Sequence, residues 1–116
     1  MLRLMKGSEA EYAAIAYLQR QQLLLIAQNY RCRFGEIDLI MKDGATLVFV
    51  EVRMRTNETF GGAAASITPS KQTKLLRTAR HYLSGLDTEP ACRFDALLLS
   101  GRNGQVIEWI KNAFGE

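Results

Sequence analysis

Four charged side chains stand in two runs that otherwise read as core strand. They are Glu36 and Asp38 in Gly35-Glu-Ile-Asp-Leu-Ile-Met41, and Glu51 and Arg53 in Leu47-Val-Phe-Val-Glu-Val-Arg-Met54. Three carboxylates gathered near one end of a covered sheet face repel one another and lose hydration. A cation relieves both penalties, and aspartate and glutamate oxygens are the hard ligands that Mg²⁺ prefers. Structural ion pairs imitate such sites. The plainer alternative is a solvated sheet end in which Arg53 pairs with Glu51.

The elements that must position these groups form a β-hairpin, two β-rich apolar runs around Asp43-Gly44. A turn centred on Asp43-Gly44 pairs Lys42 with Ala45, Met41 with Thr46 and Leu39 with Val48. Asp38 then lies opposite Phe49, and Glu36 opposite Glu51. Directly paired residues share a face. Glu36, Asp38 and Ile40 therefore fall with Leu47, Phe49, Glu51 and Arg53. Ile37, Leu39, Met41, Val48, Val50 and Val52 make the other face uniformly apolar. Both faces look covered, as in the centre of an α/β sheet. A three-residue turn would slip the pairing by one and separate Asp38 from Glu51.

Composition sets the outer bounds. A chain of 116 residues, 47% apolar and 23% charged, fits one soluble globular domain spanning residues 1–116. The longest apolar runs fall far short of a membrane span, and the N-terminus lacks a signal-peptide pattern. Cys32 and Cys92 have no metal-ligand spacing and His81 stands alone, so free thiols in the cytoplasm are expected and zinc is not. The net charge is +3, unevenly spread. Residues 36–60 hold five acidic against three basic side chains, whereas residues 1–35 hold two against five. An acidic centre between basic flanks suits a metal cluster beside an anionic polymer.

Along the chain, Ser8 with Glu11 makes a capping box for a first helix running to about Arg20. Glu9 lies in its first turn, where the helix dipole alone would favour it. Leu23–Arg31 reads as a strand, and Arg31 and Arg33 in the following turn can meet phosphate or merely solvate the turn. Thr56–Gly62 is a loop that could wall a cleft. Thr68 caps a second helix with Pro69 at its first position. Leu75, Leu76, Ala79, Tyr82 and Leu83 face inward, and Gly85 ends the helix. Lys71, Lys74, Arg77 and Arg80 cover the outside, as a solvated face or as a phosphate track. Pro90–Leu99 and Gln105–Ile110 are strands around a Gly101–Gly104 turn, with Phe114 docking on the core. Asp95 has no carboxylate opposite and reads as structural, pairing with Arg93 or Lys71. The order α-β-β-β-α-β-β predicts an α/β fold, a mixed sheet flanked by helices.

Taken together, Gly35-Glu-Ile-Asp-Leu-Ile40, Val48-Phe-Val-Glu-Val-Arg53-Met-Arg55, Phe60-Gly61, Thr68-Pro-Ser-Lys-Gln72 and Arg93-Phe-Asp95 resemble the bacterial YraN family. The likeness spans nearly the whole chain. That family is grouped with the PD-(D/E)XK nucleases, near the archaeal Holliday junction resolvases. The resemblance implies a restriction-endonuclease-like fold and a Mg²⁺- or Mn²⁺-dependent endonuclease acting on DNA, including branched or processed DNA. It implies Asp38, Glu51 and the Val52 carbonyl as metal ligands, and Glu9 as the helix glutamate of the resolvase branch. Arg53 stands where the superfamily prefers lysine. An arginine stays protonated and cannot act as a general base, but it can hold a phosphate. Lys71 is a candidate replacement. Arg31, Arg33, Arg55, Lys71 and Lys74 would follow the DNA backbone. Resolvase-like relatives act as dimers, so a homodimer is expected by analogy. Two further functions fit the same residues, a nucleic-acid-binding protein that has lost catalysis and a small protein-interaction module.

Overall fold

A computed structural model describes residues 7–54, 67–100 and 106–115. Its elements are α1 (Gly7–Arg20), β1 (Leu24–Cys32), β2 (Gly35–Asp43), β3 (Thr46–Met54), α2 (Pro69–Leu83), β4 (Cys92–Ser100) and β5 (Val106–Phe114). The strands form one sheet in the order β1-β2-β3-β4-β5. All neighbours are antiparallel except β3 and β4, which run parallel and are joined through α2. A parallel pair needs such a crossover. The fold is thus the mixed α/β arrangement that the element order predicts.

Each helix covers one face. Ala14, Ile15 and Leu18 of α1 pack on Leu39, Met41, Val48 and Val50, while Leu75 and Ala79 of α2 pack on Ile40, Leu47, Phe49 and Phe94. The alternation of β3 between the two clusters is the period of two that a strand covered on both sides requires. Small residues in α1 let its axis approach the sheet. In α2 the expected cap is present: the Thr68 hydroxyl accepts from the Lys71 amide at 3.3 Å, with Pro69 following.

Four boundaries differ from the sequence expectation. Residues Asp43 and Thr46 pair, so the hairpin loop is Gly44-Ala45 rather than Asp43-Gly44. Gly44 takes φ +61, leading the turn as glycine does when only the first loop position needs a positive φ. The register therefore moves by two, pairing Ile40 with Phe49 and Leu39 with Val50. A shift of two keeps Leu39, Met41, Val48 and Val50 on one face and Ile40, Leu47 and Phe49 on the other, as expected, but Ile37 packs with Ile40 and Phe49 under α2 rather than with Leu39. At the start, α1 is already helical at Gly7, ahead of the cap expected at Ser8, and Glu11 accepts from Asn29 Nδ2 at 3.0 Å. At its end α2 stops at Leu83, with Ser84 as cap, whose amide donates to the Arg80 carbonyl. Finally, β5 runs on to Phe114 through a positive φ at Asn112, where the register slips between Phe94 and Ala96. That irregularity brings Phe114 onto Phe94, ring centroids 4.9 Å apart. Docking of Phe114 on the core is as expected.

Gly35 explains how closely α2 seats on the hairpin. Its φ is +151, and a Cβ there would stand 3.1 Å from the Thr78 hydroxyl oxygen. Thr78 is fully buried, and its hydroxyl donates to the Lys74 carbonyl at 2.7 Å.

Candidate metal and phosphate site

The β2–β3 ladder ends at Leu39 and Val50, although β2 continues to Gly35 and β3 to Met54. Beyond that pair the sheet forks, with β2 held by β1 and β3 by β4. Asp38 and Glu51 are the next residues on either prong, near enough for the Asp38 charge to act on the Glu51 carboxyl. Asp38 fills the gap where a ladder bond would have been, its Oδ2 accepting from the Val52 amide at 2.9 Å. The amide and carbonyl of one strand residue face the same neighbour. The Val52 carbonyl therefore opens into the same fork.

Glu51 is the electrostatically stressed member. Burial pushes its carboxyl up to about 7, and the negative charge of Asp38 adds to the shift. Arg53 opposes it with a guanidinium nitrogen 2.5 Å from Glu51 Oε2, and the Lys71 ammonium pulls the same way. Together they do not cancel the penalty. Arg53 is itself incompletely used, because its Nε is buried and has no hydrogen-bond partner among the described residues. A buried N–H left unpaired costs about 1–3 kcal/mol. It is a donor available to an anion.

These groups fit a hard divalent cation. Two carboxylates and a carbonyl supply oxygen only, which suits Mg²⁺ or Mn²⁺ with water filling the other positions. An ion between Asp38 and Glu51 would offset the repulsion that raises the proton affinity of Glu51. The set is a pair, however: among the described residues no three of His, Cys, Asp and Glu come together as a metal cluster.

The other expected residues disperse around the pair. Glu36 leaves the cluster to bind Arg31 Nε at 2.8 Å, so Arg31 faces a carboxylate before it could meet a phosphate. Glu9 lies in the first turn of α1, as expected, yet it does not complete a three-carboxylate set. Glu11 is the α1 carboxylate in electrostatic reach of the fork: burial raises its proton affinity, the bond from Asn29 opposes this, and the charges of Asp38 and Glu36 add to the rise. Its bond partner Asn29 sits at φ 52 in β1. No periodicity announces that contact. Lys71 is exposed and felt by Glu51, and Lys74 flanks Gly35. Arg33 lies over the Phe34 ring. Arg55 and the Thr56–Gly62 loop lie outside the described residues.

Asp95 is structural, and its partner is Arg93 at 3.0 Å rather than Lys71. His81 is not solitary, since its Nδ1 lies 2.5 Å from the Tyr30 hydroxyl. Among the described residues no helix is long and apolar enough to cross a membrane.

Fold and site define a class, a five-stranded mixed α/β domain with paired carboxylates where its central strands part. Residues 10–99 match the family described as "Uncharacterised protein family UPF0102". The chain is 66% identical over 110 residues to a UPF0102 protein of Nitrosospira multiformis, covering 95% of this chain and 92% of that one. Against a UPF0102 protein of Nitrosomonas eutropha the identity is 67% over 111 residues, covering 96% and 94%. A UPF0102 protein of Psychromonas ingrahamii is 58% identical over 111 residues, covering 96% and 90%. The chain belongs to the UPF0102 family, the YraN family that its motifs resemble.

Proposed function

We propose that this protein is a divalent-metal-dependent endonuclease that hydrolyses phosphodiester bonds in cytoplasmic DNA. One observation carries the proposal: Asp38 and Glu51 meet at the fork of the sheet, with an unpartnered Arg53 Nε–H beside them. Asp38, Glu51 and the Val52 carbonyl would hold Mg²⁺ or Mn²⁺. When bound, the ion supplies an acidified water and offsets negative charge developing on phosphorus. Arg53 then donates to a non-bridging phosphate oxygen through the N–H that its bond to Glu51 leaves over. Arg53 cannot remove a proton from water. Lys71, the ammonium that Glu51 feels across from α2, is the nearest assigned substitute for the lysine that the superfamily carries. Glu9 would approach as a helix carboxylate, and Lys74, Arg33 and Arg31 would accompany the strand.

Incubation of junction, flap, nicked and linear DNA with Mg²⁺ or Mn²⁺ tests this directly. Cleavage that stops on chelation and is lost in Glu51→Ala is the expected outcome. A second function, binding without cutting, is favoured by Arg53 in the lysine position. Salt-dependent binding of all four substrates with no metal-dependent product would establish that function and overturn the first.

A further inference from the structure

The tip of the β1–β2 hairpin carries an aromatic cluster that the carboxylate site does not use. The Arg33 guanidinium carbon lies 4.8 Å above the Phe34 ring centroid. Phe34 in turn meets His81 of α2 edge-on, centroids 6.2 Å apart. His81 is fixed by its hydrogen bond to Tyr30, whose ring packs edge-on against Tyr82 at 5.2 Å. Tyr30 and Tyr82 belong to the core cluster beneath α2. The outer layer is different: Arg33 and His81 are exposed and Phe34 is half-buried. A hairpin tip would ordinarily let its arginine extend into water. Here the cation lies over an aromatic ring that is itself braced from behind, and the arginine remains exposed.

This cluster is aligned with the fork. Phe34 precedes Asp38 by four strand residues, roughly 13 Å at strand rise. On α2, Lys71 near Glu51 and His81 near Phe34 are separated by ten helical residues, about 15 Å. Lys74 and Arg77, both exposed, lie between them on neighbouring turns. A basic track thus joins the carboxylate pair to the aromatic tip over the length of about four stacked nucleotides at 3.4 Å each. Guanidinium and aromatic planes bind bases whose faces are free, which a paired and stacked duplex does not offer.

We propose that Arg33 and Phe34 form a stacking platform for an unpaired base, so that the preferred ligand is DNA with a single-stranded segment a few nucleotides from the phosphate at the fork. The proposal rests on the nuclease reading for the location of that phosphate, but base stacking itself needs neither metal nor cleavage. It also reassigns Arg33 from following the backbone to contacting a base.

The test is fluorescence anisotropy in EDTA. The probes are a short blunt duplex and the same duplex with a single-stranded tail carrying a fluorescent adenine analogue. The wild-type protein is expected to bind the tailed probe more tightly by roughly fivefold to a hundredfold, with quenching of the analogue. Phe34→Leu keeps an apolar contact with His81, and Arg33→Lys keeps the charge; both should bring the two affinities together and abolish quenching. Thermal melts check each variant, and Arg33→Lys decides alone if Phe34→Leu does not fold. Equal wild-type affinity for the two probes, an undiminished preference in the folded variants, or no binding at low salt would each overturn the platform. Tail preference without metal-dependent cutting would sink the nuclease and leave the platform standing; cutting without tail preference would do the reverse.

Discussion

Asp95 and Glu51 are both carboxylates in strands of one sheet, and their surroundings could hardly differ more. Asp95 is fully buried and saturated. It accepts from Arg93 Nε at 3.0 Å, from Trp109 Nε1 at 2.9 Å and from the Asn112 amide at 2.9 Å, while Arg93 reaches on to Asp43 at 3.0 Å. Both Asp95 oxygens accept, Arg93 bridges to a second carboxylate, and the charges alternate. At the fork, two carboxylates act on each other, Glu51 is driven towards its neutral form, and Arg53 keeps a buried N–H that no described residue accepts. A satisfied buried network holds elements together. An unsatisfied one of similar make-up is where the proposed cation and phosphate would find their partners.

The largest consequence concerns the saturated region. Asp95→Ala should cost about 3–5 kcal/mol in urea unfolding, because it strands Arg93 and orphans the Trp109 and Asn112 donors. A loss under 1 kcal/mol would mean that the network contributes little and the contrast is false.

At the fork the sign reverses. The ordinary value for Glu51 is 4.5 and the folded value about 7. A carboxyl raised on folding contributes stability that is fully present below pH 4.5 and is lost as pH rises through 7. Metal-free protein should therefore be less stable at pH 8 than at pH 5, and Glu51→Gln should remove that slope. The variant should gain about 1–3 kcal/mol at the alkaline end. Divalent-ion binding should strengthen over the same interval, as the competing proton leaves. Unfolding curves that are parallel in both proteins across this range would contradict the assignment.

Smaller effects sharpen the same contrast. Gly35→Ala forces a left-handed φ on alanine and presses its Cβ on Thr78, which should cost about 1–2 kcal/mol and loosen α2 from the prong that carries Asp38. Trp109→Phe removes one of the Asp95 donors but keeps most of the ring, so about 1 kcal/mol is expected from thermal unfolding. If Trp109→Phe proved as damaging as Asp95→Ala, the indole's packing against Tyr17, rather than its hydrogen bond, would hold that end.

The contrast was partly visible in the sequence. Alternation placed Leu39, Met41, Val48 and Val50 on one face and Ile40, Leu47 and Phe49 on the other, and this survived because the turn moved the register by an even number; Ile37 did not follow, lying where β2 has parted from β3. Which carboxylates act on each other was not legible, since that depends on whether Asp43 or Gly44 leads the turn. Arg93 was one of the two partners, with Lys71, that the sequence offered for Asp95. The other donors were not legible, because the Asn112 irregularity that aims an amide at Asp95 has no signature in Lys111-Asn112-Ala113. Glu11 escaped notice for a related reason: Ser8-x-x-Glu11 is a capping box by pattern, and the bond from Asn29 depends on a positive φ in β1 that no periodicity announces. Arg33, His81 and Tyr30 are far apart in sequence or unremarkable in type, and only the seating of α2 at Gly35 brings them together.

The central claim is that Asp38 and Glu51 form a divalent-cation site. Calorimetric titration of Mn²⁺ into metal-free protein above pH 7 addresses it most directly. The account predicts binding to the wild-type protein that is lost in both Asp38→Asn and Glu51→Gln, with Asp95-network variants that remain folded still binding. Equal binding by wild type and the two fork variants, or none by the wild type, would contradict it.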